Sequence, residues 1–495
     1  MVSVMFGVLS GIRSRIRGAS RSQRGAVSVV LAMSVIPLVA LIGIAIDAGR
    51  GYMVKSQLGQ AVDAAALAGG RAMYQTFQTS DIQKYFEANF PPEFMNAQID
   101  PLQVTVSEAG NTVEVVATAH VPTSFLQVVA VSDVTVRARA LVHREIRGLE
   151  LALVMDNTGS MRSGGKMTAM KAAATDLIEA IYGNRETVPD LYVSLVPYSA
   201  MVNIGAGRQA WLDGFDPTIY GSTTWKGCVE ARIGNVADPS DDYDATDDPP
   251  SVALWTAAYW PSTEGVYPGA GDNDWNNGNI DETNNAQNDG LGPNLGCGPA
   301  ITPLIAPKTD VLAAIAEMLP WHRGGTMANL GLAWGWRTLS PQWRGLWGGN
   351  TPAELPLNYG EALMDKAVVL LTDGENQWYD WPGGLPGKPN LSSYPGADYT
   401  AYGRINEERL GAGIDTNGEA KTEINTRMAA LCTAMKAQGI IMYTVLFKVN
   451  DSDTETLYQN CATSPAHAFD ADSNSALASV FQTIGVELAN LRLAE

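Results

Sequence analysis

The stretch "LELALVMDNTGSM", residues 149–161, decides the fold. Its apolar front half reads as a buried strand of a parallel sheet. Behind it Asp156, Thr158 and Ser160 stand at alternate positions. Side chains two residues apart in an extended segment share a face, so the three converge at the strand end. Three further apolar runs, "LYVSLVPYS", "KAVVLLT" and "IIMYTVLFKV", read as sister strands. Helical stretches separate them: "KMTAMKAAATDLIEAIYG", "KTDVLAAIAEMLPW", "EAKTEINTRMAALCTAMKAQG" and a last helix from about Asn474. Strands alternating with helices predict a doubly wound, Rossmann-like α/β domain over 148–495.

In such sheets ligands bind beyond the carboxyl ends of the strands, where the Asp156 loop must lie. "LLTDGEN", residues 370–376, is a second strand ending in polar residues and brings Asp373 to the same edge. "GGTMANLGLAWGW", residues 324–336, sets Thr326 just ahead of a helix. Carboxylates and hydroxyls without imidazole or thiol suit a hard cation: Mg²⁺, or else Mn²⁺ or Ca²⁺. A helix N-cap would also use Asp, Thr and Ser, but it does not need Thr326 and Asp373 as well. Trp334 and Trp336 beside Leu332 read as core.

This constellation resembles the metal-ion-dependent adhesion site of a von Willebrand factor A domain. The pattern D-x-S-x-S, a loop threonine and an aspartate falls on Asp156, Thr158, Ser160, Thr326 and Asp373, with Thr158 replacing the first serine. The resemblance implies that the hydroxyls bind the metal directly and the aspartates largely through water. A partner's acidic side chain would complete the shell.

The whole chain of 495 residues carries Lys+Arg 33 against Asp+Glu 52, a net charge of −19, which repels a nucleic-acid partner. The tight basic cluster is Arg13, Arg15, Arg17, Arg21 and Arg24, directly ahead of "AVSVVLAMSVIPLVALIGIAI", residues 26–46. That uncharged run, at ~1.5 Å per residue, is long enough to cross a bilayer core. Basic residues upstream predict a cytoplasmic segment 1–25, a membrane helix 26–46 and export of the rest. A cleaved signal peptide is the rival reading, and its apolar region is usually shorter, roughly 7–15 residues. A prepilin-type signal would want a glutamate near the start of the run, where Val27, Ser28, Val29 and Val30 stand.

Export makes Cys228, Cys297, Cys432 and Cys461 disulfide candidates, with three possible pairings. Cys228 and Cys297 bracket most of a long excursion, which favours Cys228–Cys297 and Cys432–Cys461. Two stretches, about 203–308 and 376–417, are too long for plain loops and read as insertions. "DNDWNNGNID" lacks the glycine and glutamate of a calcium-binding EF-hand loop and reads as a solvated acidic segment. The four histidines are scattered, which argues against zinc.

Between anchor and α/β domain, 47–147, the helical pattern continues to about Met73 and then gives way to alternation. "LQVTVS", "NTVEVVATAHV" and "SDVTVRARALV" predict a small sheet, with a turn at "EAGN", 108–111. A basic N-terminus, one membrane helix, "QAVDAAALAGG", a small sheet and this α/β domain resemble the TadE/TadG-like assembly proteins of tight-adherence (Tad/Flp) pili. Phrases such as "VSLVPYSAMVNIG", "KGCVEAR" and "VVLLTDGEN" carry the resemblance. It implies a non-enzymatic, inner-membrane, single-pass protein with its bulk in the periplasm, binding a protein of the pilus-assembly machinery. A surface-exposed adhesin is the alternative, and a metal-assisted hydrolase a third, with Glu375 its one candidate base.

Overall fold

The computed structural model describes residues 23–72, 79–106, 112–143, 147–232, 245–262, 273, 275, 279–282, 291–321, 323–379, 398–414 and 416–491. Most of the basic N-terminal segment, the turn at 108–111 and half of "DNDWNNGNID" lie outside these residues. The chain forms two compact units, Met1–Arg144 and Glu145–Glu495.

In the first unit one long helix, α1 (Gln23–Ala72), runs through the apolar stretch and past it, with Pro37 inside. It is long and apolar enough to cross a membrane. Beyond Asp47 it becomes a packing helix. Val54, Leu58, Ala61, Val62, Ala65 and Ala66 recur every three or four residues and are buried. They rest with α2 (Thr79–Asn89) on an antiparallel sheet. Its strands are β1 (Gln98–Ile99), β2 (Gln103–Val106), β3 (Thr112–Pro122) and β4 (Asp133–His143). β3 pairs with β4 along one edge and with β1 and β2 along the other. The three period-two runs are thus strands. On β3, Val113, Val115, Ala117, Ala119 and Val121 face the helices, which the alternation dictates.

The second unit is the doubly wound domain. Its sheet comprises β5 (Gly148–Asp156), β6 (Leu191–Tyr198), β9 (Thr302–Ile305), β11 (Met364–Thr372), β13 (Ile441–Phe447) and β14 (Ala468–Ala471), in the order β14-β13-β11-β5-β6-β9. All pairs are parallel except β6–β9 at the edge. Two small ribbons lie outside it: β7 (Val202–Asn203) with β8 (Cys228–Val229), and β10 (Gly324–Thr326) with β12 (Gln377–Tyr379).

Among the described residues, six helices cover the two faces. α3 (Lys166–Tyr182) packs with α4 (Lys308–Glu317) and α8 (Asn474–Leu491). α5 (Ala328–Leu339), α6 (Asn417–Ala437) and α7 (Ser452–Cys461) form the other layer. α3 buries Met167, Met170, Ala173, Ala174, Leu177, Ile178 and Ile181, one apolar stripe. α6 begins with a capping box, Thr416 and Glu419 satisfying each other's backbone amides.

The first excursion, 203–308, returns to the sheet at its end, since Thr302–Ile305 is the antiparallel edge strand. Disulfides join Cys228 to Cys297 and Cys432 to Cys461. The described part of this excursion folds against α5 as an aromatic layer. Trp255 lies 5.0 Å from Trp334, and Trp211 and Trp343 close the group. Trp334 and Trp336 are core, as their sequence setting implies.

Candidate metal site

The strand order reverses at β5. From it the chain steps outward to β6 on one side and later to β11 on the other, so the crevice between the carboxyl ends of β5 and β11 is the switch point. Leu371 stands opposite Met155 in the ladder, which leaves Thr372 and Asp373 facing Asp156 across the gap.

Asp156 is fully buried. Its Oδ1 accepts the Thr158 N–H at 2.7 Å, and its Oδ2 accepts the Thr372 hydroxyl at 2.8 Å. The Thr158 and Ser160 hydroxyls lie 3.0 Å apart, and Ser160 donates to Asp373 Oδ1 at 2.5 Å. Thr158, Gly159, Ser160, Gly325, Thr326, Gln377 and Tyr379 line one cavity of about 300 Å³. Thr158, Ser160 and Thr326 of the sequence pattern thus line this cavity, and Asp156 and Asp373 are hydrogen-bonded to Thr158 and Ser160. Two carboxylates and three hydroxyls fit a hard divalent cation, and among the described residues no group of three His, Cys, Asp or Glu offers a different kind of site.

The electrostatics point the same way. Burial, then the neighbouring Asp373 carboxylate, pushes the Asp156 carboxyl up from its ordinary 3.8 to about 7. A positive charge between the two would relieve both effects. The chain supplies one positive partner itself: Lys166, the first residue of α3, donates to Asp373 Oδ2 at 2.8 Å.

A pH dependence follows. The Asp156 carboxyl is raised in the folded state, so its contribution to stability is full below pH 3.8 and is lost as pH rises through about 7. Thermal melts in chelator should show a higher midpoint at pH 5 than at pH 8. Asp156→Asn should flatten that difference, and an unchanged slope would contradict the assignment.

The Thr326 wall is built by distant segments. Gly325 has φ +102°, and a Cβ there would fall 2.0 Å from the Gln377 carbonyl oxygen, so only glycine lets β10 pair with β12. Arg323 grips Asp398 with two bonds, at 2.9 and 2.5 Å, and Asp398 also accepts the Gly324 N–H at 3.1 Å. Asn376 Oδ1 accepts the Ala328 N–H at 3.0 Å and caps α5. Lys166, Gln377, Tyr379 and the Arg323–Asp398 pair are site or support residues that the sequence pattern does not single out. The "GGK" ahead of α3 was the one local signal for Lys166. Glu375, the candidate base, is ion-paired with Lys421.

Residues 25–72 match the Flp pilus-assembly TadE/G-like family. This segment is TadE/G-like. It occupies α1 of the first unit, apolar stretch included. No curated protein matches the chain. Among solved structures, the chain is similar to the von Willebrand factor domain of the type V pili tip protein Mfa5 from Porphyromonas gingivalis. Identity is 11% and the TM-score 0.35, over 71% of this chain and 97% of that one. It is also similar to the pilus adhesin SpaC from Lactobacillus rhamnosus GG, at 11% identity and TM-score 0.33 over 80% of this chain. The match spans 34% of SpaC, about a third of its length. A mussel byssus protein, proximal thread matrix protein 1 with a zinc-occupied MIDAS motif, matches at 12% identity and TM-score 0.30 over 70% of this chain and 47% of that one.

Proposed function

We propose that this chain is a non-enzymatic assembly component of a Tad/Flp pilus, held in the bacterial inner membrane by residues 26–46, with residues 1–25 cytoplasmic and the rest of the chain in the periplasm. Its second unit would bind one divalent cation through Asp156, Thr158, Ser160, Thr326 and Asp373, and use it to capture an acidic side chain of a protein partner. The observation that carries the reading is the buried Asp156 facing Asp373 with three hydroxyls at the sheet's switch point. The TadE/G-like match of the anchor segment supports the setting.

When bound, the cation would supply a positive centre with a coordination position for a carboxylate. The chain's own residues do the rest. Asp156 and Asp373 provide the negative charge that retains a cation, and backbone and hydroxyl donors hold Asp156 in one orientation. Gln377 and Tyr379 form the neighbouring wall, from which a partner's surface would be read.

Affinity purification from solubilised envelopes tests this. A pilus-assembly protein should be retained in Mg²⁺ and lost both in chelator and with Asp156→Ala. Identical partner sets in all three would defeat the capture role. Metal-dependent hydrolytic turnover lost in the same variant would instead show an enzyme.

A further inference from the structure

Between β3 and β4 the chain makes a turn, "TSFLQVVAVS", residues 123–132, without one charged residue. Such a composition is unusual for a protruding turn, which water would normally favour as polar. Phe125 is 43% exposed and Val131 40%. The turn is nonetheless fixed in place. Thr123 closes its base, its N–H donating to the Ser132 carbonyl at 3.0 Å and its hydroxyl to the Val131 carbonyl at 2.6 Å.

The turn is fixed against α1. Asp47, 2% exposed, accepts the backbone N–H groups of Ser124, Phe125 and Leu126 at 3.0, 2.8 and 2.8 Å. Three donors satisfy this buried carboxylate, so it is stable beside apolar surroundings. One turn of helix further on, Arg50 donates to Ser124 Oγ at 3.1 Å and to the Met95 carbonyl at 3.0 Å. Phe125 lies directly on the helix backbone at Gly43. A Cβ on Gly43 would come 2.5 Å from the Phe125 Cβ and 2.7 Å from its Cγ, so no other residue admits this contact.

Gly43 precedes Ile46, the last residue of the uncharged run, by three positions. At ~1.5 Å per residue the Phe125 ring is therefore roughly 4–5 Å inside the end of that run. Leu41, Ile42, Ile44 and Ile46 are exposed on the same stretch of helix, so the exposed Phe125 adds to its apolar surface, and Val131 is the other exposed apolar residue of the turn. We propose that the 123–132 turn is a lipid-contacting foot, seated at the boundary of headgroups and acyl chains on the exported side of the membrane. This rests on the reading of residues 26–46 as an uncleaved membrane helix. An apolar turn clamped beside that helix would fix how the first unit tilts and rotates on the bilayer, which a single helix leaves free.

The test uses the full chain. All four native cysteines are in disulfides, so one introduced cysteine is the sole free thiol. Phe125→Cys, Val131→Cys, Val35→Cys and Thr105→Cys are each labelled with an environment-sensitive nitrobenzoxadiazole and reconstituted into phosphatidylcholine vesicles brominated at shallow or deep acyl positions. Val35 lies exposed within the apolar run, and Thr105 lies exposed on β2. Shallow bromines should quench about half the emission at 125 and 131, given an insertion depth of ~5–10 Å for an interfacial segment. Deep bromines should quench position 35, and neither should touch 105. Quenching at 35 with 125 and 131 behaving as 105 overturns the foot and leaves the anchor standing. No quenching at 35 overturns the anchor and the foot together. Val131→Cys leaves the Phe125–Gly43 contact intact, so the test survives if Phe125→Cys fails to fold.

Discussion

Asp156→Ala and Asp373→Ala should each abolish the divalent-cation binding proposed for this protein, while Ser160→Ala should weaken it. Loss of outer-shell support alone typically costs ~10–100-fold in metal affinity, so removing a carboxylate that faces the cation should cost at least ~100-fold. Calorimetry with Mg²⁺ and Mn²⁺ on the detergent-solubilised chain would show no heat for either variant. A change that removes only the charge has an opposite effect without metal. Asp156 is buried and stands opposite a second carboxylate, so Asp156→Asn removes a destabilising charge and keeps an oxygen on the donors that Asp156 accepts. In chelator at pH 8, Asp156→Asn should melt no lower than the wild type, which separates a binding defect from misfolding. Equal affinity in wild type and both aspartate variants would remove the site.

The second large effect is on stability. Trp334 is buried on α5, 5.0 Å from Trp255 and 5.6 Å from Trp343, with the Arg337 guanidinium 4.7 Å from its ring centroid. Trp334→Ala leaves a cavity between the sheet and the first excursion, and such truncations cost about 3–5 kcal/mol. All twelve tryptophans lie in the second unit, so fluorescence-detected denaturant unfolding reads this unit alone. The transition midpoint should fall steeply. Because α5 begins two residues after Thr326, cation affinity should fall too. A change below about 1 kcal/mol would mean that the aromatic layer is not part of the core.

The main strands were legible because burial on both faces writes itself as long apolar runs. β5, β6, β11 and β13 all lie within such runs. β9 and β14 were not: each is four residues long, half-exposed at an edge, and β9 carries a proline. Residues 79–89 carry a short helical stripe, Ile82 and Phe86 continued by Phe90, which packs on α1 but is brief beside the long apolar runs. The five ligand candidates were legible because each follows a strand or a glycine pair at a sheet end. Their supports were not, because they act across long separations. Arg323 and Asp398 are 75 residues apart, and Lys166 meets Asp373 across 207. Even Glu150, inside the first quoted run, resolves only in three dimensions, where it pairs with Lys366 and accepts the Leu357 N–H at 2.7 Å.

The proposed cation site is expected to serve pilus assembly. Complementation of a deletion strain with the Asp156→Ala/Asp373→Ala double variant tests it most directly, with pili counted by electron microscopy alongside immunoblotted protein in the inner membrane. The variant should be stable and membrane-inserted, with few or no pili. Full piliation at wild-type protein level would contradict that role.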